Sequence, residues 1–151
     1  MSTHWGLAIL FGVSLLCVGG SPGGDDAAAK TELKKLEGVW QITSGEKDGK
    51  SIDSIKRDKV TVSRDNFTVH HDGKVEFTAT IKLYPNKKPK AVDLRITSEK
   101  HKGKTVLGIY ELNGDDLKFC ITEAGAKSRP TDFSAKPGTD YLAVVLKREK
   151  K

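Results

Sequence analysis

The chain has 151 residues, 26 of them Lys or Arg against 20 Asp or Glu, giving a net charge of +6 and a pI near 9.3. Apolar residues at 36% and aromatics at 7% suffice for one modest core, which excludes a disordered chain and argues for a single domain. No apolar stretch reaches the roughly 18 residues of a membrane-spanning helix, and two cysteines exclude both a disulfide scaffold and a four-cysteine zinc site.

Residues 1–20 contain no Lys, Arg, Asp or Glu, and Trp5 to Val18 is an apolar run of signal-peptide length. Small residues follow at Gly19 and Gly20, so residues 1–20 are expected to be an export signal; Ala27 to Ala29 offers a second place to cut. The usual basic start is missing. A lipoprotein signal needs a small residue before its cysteine, and Leu16 precedes Cys17, so lipidation at Cys17 is the minority alternative. With Cys17 removed, only Cys120 remains, and an exported chain with one thiol has no internal disulfide.

Residues 21–35 are expected to be linker and short helix: Ser21 to Lys30 is solvated in character, Thr31 to Leu36 is helical, and Gly38 stops it. From residue 36 to 149 the dominant signal is period two. Val75, Phe77, Ala79, Ile81 and Leu83 fall on one face of 74–84, while Lys74, Glu76, Thr78, Thr80 and Lys82 fall on the other. Seven further strands are expected over 39–44, 59–63, 67–70, 92–97, 105–112, 117–122 and 141–148. The turn residues supply registers. Asn113-Gly114 as a two-residue loop pairs Tyr110 with Leu117, and His71-Asp72-Gly73 as a three-residue loop puts Phe67 beside Phe77. The loop 85–90 pairs Leu83 with Val92.

Eight short antiparallel strands with links suited to nearest neighbours predict an all-β, up-and-down barrel. A two-sheet sandwich is the alternative, since the link 123–140 is long enough to cross between sheets. The expected interior includes Trp40, Ile42, Val60, Val62, Phe67, Phe77, Ile81, Leu94, Tyr110 and Phe119.

Gly38-Val39-Trp40 on the first strand and Arg148 at the end of the last resemble the lipocalin pattern. Leu36 to Trp40, Asp48-Gly49-Lys50, Lys87 to Leu94, Gly103 to Leu112 and Arg129 to Phe133 together resemble a small secreted lipocalin-like domain family typical of planctomycetes. The resemblance implies a lipocalin-like barrel in which Arg148 packs over Trp40 and closes the floor. It implies no catalytic residue, because that family has no established activity.

Adjacent strand residues point to opposite faces, and the register puts His70 outside beside Thr68 and His71 in the loop, so no metal site is expected, and no cofactor. Cys120 has no histidine at a motif spacing and is expected to be structural. The Lys-rich loops, with Lys87, Lys88, Lys90 and Lys102, offer a contact for an anionic envelope partner or simply a solvated surface. Nucleic acid is disfavoured by the lack of interleaved aromatics. Arg129 and Phe133 lie in the long link, which either plugs a barrel mouth or forms a lid over a pocket. The leading expectation is an exported, non-catalytic binding module for a small apolar ligand or an envelope partner, with Tyr110, Phe119, Arg129 and Phe133 as the ligand contacts. The alternative is a structural or interaction protein of the cell envelope with a filled barrel. No acid–base pair or activated nucleophile can be placed on one rim, so an enzyme is not expected.

Overall fold

Side chains that alternate apolar and polar leave one face of each strand to be buried, and a sheet of such strands can bury them all by closing on itself. The computed structural model describes residues 23–150, so the export segment and Cys17 lie outside the described residues. Helix α1 (Gly23–Leu36) precedes β1 (Gly38–Lys47), β2 (Lys50–Ser51), a 3-10 turn (Ser54–Arg57) and β3 (Lys59–Ser63). Then follow β4 (Asn66–His71), β5 (Lys74–Tyr84), β6 (Ala91–Ile96), β7 (Thr105–Asn113), β8 (Asp116–Ile121) and β9 (Leu142–Arg148).

Each strand from β3 to β8 pairs antiparallel with the next, β3 also pairs with β1, and β1 pairs with β9 to close the ring. Eight strands thus make an up-and-down barrel, with β2 a two-residue spur on β1. The sandwich alternative falls, because no link crosses between sheets. All ten residues expected inside belong to the core or pack against it.

Three local expectations are corrected. The β7–β8 turn is Gly114-Asp115, so Tyr110 pairs with Phe119 rather than Leu117. A two-residue slide leaves every side chain on the same face, so alternation could not detect it. The β4–β5 turn is Asp72-Gly73, both with positive φ, and the extra residue sits in β5 as a bulge, with His70 opposite Val75 and Val69 opposite Phe77. The bulge keeps Phe67 and Phe77 on one face but turns Val75 out, 60% exposed instead of inside. Finally, α1 starts at Gly23, so eight residues of the expected linker, Gly23 to Lys30, are helical, because Ala27 to Lys30 is a run of good helix formers behind the acids Asp25 and Asp26.

The long link between β8 and β9 is neither plug nor lid. It lies as a strap on the outer wall. Outward-facing Ala91, Ile109 and Cys120 are buried, as are Pro130 and Ala135 of the strap. Arg129 fastens it, donating to the carbonyls of Val92 and Gly108 at 2.8 and 2.9 Å and to Asp93 at 2.7 Å. The Ala135 carbonyl accepts from the Gly49 N–H.

Candidate functional site

An up-and-down barrel has two ends, and here they differ. At the floor, the last carbonyls of α1 need donors. Trp40 Nε1 donates to the Leu36 carbonyl at 2.8 Å. Arg148 donates to the carbonyls of Lys35 and Glu37 and lays its guanidinium over the Trp40 ring, 4.3 Å from the centroid. Gly38 sits at φ +132°, and a Cβ there would press on Arg148 at 3.0 Å, so the glycine before the tryptophan is needed twice over. Trp40 and Arg148 thus meet across the pairing of the first and last strands.

Glu32 of α1 completes the seal. Its buried carboxylate accepts from Lys90 at 2.7 Å and from the Tyr110 hydroxyl at 3.3 Å. Burial pushes the Glu32 carboxyl up, but Lys90, Lys35 and Tyr110 outweigh it and hold the group below its ordinary 4.5. Its contribution to stability is therefore present above that value and lost as pH falls through the lowered one.

The opposite end holds a cavity of about 210 Å³. Its walls are apolar side chains of β1 and β3 to β9, among them Ile42, Phe67, Leu94, Val106, Phe119 and Val144. Phe67 and Phe119 meet edge to face at 6.1 Å. Ile55 of the 3-10 turn leans over the rim, seated directly on Gly45, where any Cβ would collide with it. Asp58 supplies the lining's one polar side chain and is only 7% exposed.

His71 Nδ1 meets Asp58 Oδ1 at 2.5 Å, while Nε2 lies 3.5 Å from Asp72 Oδ2. The hydrogen bond to Asp58, reinforced by the charges of Asp58, Asp72 and Glu76, raises the His71 pKa above 6.5. The pairing is therefore in place below the ordinary value and loosens as pH rises through the raised one. Asp58, His71 and Glu76 also bring three ligand-type atoms within 4.8 Å of one another. His71 is a strand residue at the rim, not a loop residue.

The expected site residues scatter. Phe119 lines the cavity; Tyr110 lies below it, its hydroxyl on Glu32. Arg129 is spent on the strap, where it also faces the Tyr84 ring at 5.8 Å. Phe133 borders an outer groove with Gly45 and Lys118. The four lysines do not form one patch. Consecutive hairpin loops lie at opposite ends, so Lys87 and Lys88 sit at the floor and Lys102 at the mouth, separated by the six residues of β6, about 20 Å. Lys90 is paired with Glu32. Sequence reasoning missed Asp58, Ile55 and the role of His71.

Fold and site define a closed antiparallel barrel with a sealed floor and a small apolar cavity carrying one carboxylate at its mouth. No family model, curated protein or solved structure matches the chain.

Proposed function

We propose that this chain is an exported, non-catalytic binding module of the lipocalin-like kind that takes a small apolar ligand into its barrel. The apolar cavity of about 210 Å³ carries the reading. An apolar cavity of about 150 Å³ stays dry and binds benzene, while drug-sized ligands need roughly 300 Å³ or more. The ligand is accordingly a single ring or a short chain. Export is supported by the apolar run from Trp5 to Val18.

Absence of catalysis is supported by two groups. Both ring nitrogens of His71 face carboxylates rather than a hydroxyl or thiol. The Cys120 thiol is pushed up to about 11, first by burial and then by Asp132 and Glu46. A filled barrel acting through a lysine surface has less behind it, since the cavity is there and the lysines divide between two ends.

Toluene titrated into the protein should give saturable NMR shifts confined to the methyl groups of Ile42, Val106 and Val144. Val106→Phe, which fills the cavity, should abolish them. Shifts that never saturate, or that persist unchanged in the filled variant, would end the reading.

A further inference from the structure

This inference rests on the proposed binding role and narrows its ligand. We propose that the cavity takes a small cationic amphiphile, an aromatic ring or short alkyl chain ending in a primary ammonium, with the ammonium seated on Asp58.

The chemistry of the lining points there. Apart from Asp58, every side chain around the cavity is apolar and offers no hydrogen bond, so Asp58 alone can orient a ligand's polar end. A carboxylate has two oxygens and about four acceptor positions. His71 engages Oδ1, and no described residue hydrogen-bonds Oδ2. The carboxylate is also fixed in place. Asp58 N–H donates to the Ile55 carbonyl, and the Asp58 carbonyl accepts from the Ile42 N–H and from Gln41 Nε2.

Charge at the mouth agrees with acceptor geometry. Asp72 and Glu76 stand beside the Asp58–His71 pair. Of the nearby cations, Lys74 is opposite His71 in the ladder and Lys59 is engaged by Glu149. Asp58, Asp72 and Glu76 therefore place three carboxylates around His71, with Lys74 and Arg57, the latter next to Asp58 in the chain, as adjoining cations. A ligand carboxylate would meet like charge beside a desolvated group, whereas an ammonium forms a charge-assisted bond. His71, with Nδ1 on Asp58 and Nε2 toward Asp72, is the group that already partners Asp58, and a ligand ammonium would compete for that role.

Toluene, benzyl alcohol, benzylamine and benzoate have nearly the same size and differ in charge and hydrogen-bonding capacity. At pH 7 and moderate salt, benzylamine should bind about tenfold or more tighter than toluene or benzyl alcohol, and benzoate should not saturate. In Asp58→Asn, benzylamine should fall to the level of toluene while toluene is unchanged. His71→Gln keeps the carboxylate and removes the imidazole that competes for it, so benzylamine should bind several-fold tighter than to the natural chain. This variant carries the test if Asp58→Asn does not fold. Toluene binding with no amine preference, an amine preference that survives Asp58→Asn, or weaker benzylamine binding in His71→Gln would overturn the inference and leave the apolar reading standing. Failure of all four compounds to saturate would overturn the binding role itself.

Discussion

Trp40 is held from three directions: its N–H by the Leu36 carbonyl, its ring face by Arg148, and its strand entry by Gly38, whose missing side chain makes room for the guanidinium. Trp40→Ala removes the largest fully buried side chain and should cost about 3–5 kcal/mol. Arg148→Lys keeps the charge but loses the flat stacking surface and one or both carbonyl hydrogen bonds, about 1–3 kcal/mol. Lys147→Gln, exposed and on the other face, should stay within about 0.5 kcal/mol. Urea denaturation of the three variants checks that order. Equal costs at 147 and 148 would mean that the last strand is assigned to the wrong face. The pairing of Gly38, Trp40 and Arg148 was visible in the sequence. The reason for the glycine was not, because a φ of +132° and a guanidinium contact belong to the folded backbone.

Strands were the legible elements and the strap was the illegible one. Alternation is local, so β3 and β5 emerge from the sequence with their observed ends, and the loop 85–90 gives the observed pairing of Leu83 with Val92. Registers that differ by two residues look identical to alternation, and a bulge looks like a longer loop; both confusions occurred. The strap has no periodicity, and its place on the outer wall depends on partners far along the chain, Asp93 and Gly49 among them. Its function as a cover is open to measurement. Cys120 is fully buried and has a raised pKa, so a maleimide should barely label it in the folded protein. Arg129→Gln removes the three bonds that fasten the strap and should raise the labelling rate about tenfold or more by local opening. An unchanged rate would show that Pro130 and Ala135 hold the strap without Arg129.

The barrel as a whole distributes its chemistry by end. Odd and even hairpin loops alternate, which gives the floor to α1, Trp40, Glu32 and Arg148 and the mouth to Ile55, Asp58 and His71. That alternation follows from the order of the strands alone, and it separates Lys87 and Lys88 from Lys102. The Asp58–His71 pair was available too. With Arg64-Asp65 as the β3–β4 turn, Lys59 pairs with His70 and Asp58 falls opposite His71. His70 is the neighbour of His71 in sequence, but the partner of His71 lies across the hairpin. The closing pair, β1 with β9, has a kinetic consequence. Every other pairing joins strands near in sequence, whereas this one joins the two ends of the domain and carries the largest loop-closure cost. Trp40 is the only tryptophan among the described residues, and it stands at that seam, opposite Arg148. Its fluorescence should therefore report the late zipping of the ring, not the earlier hairpins. In stopped-flow experiments, Arg148→Lys should mainly speed unfolding, while Leu117→Ala in the β7–β8 hairpin should mainly slow folding. The reverse pattern would make closure of the ring the nucleating event.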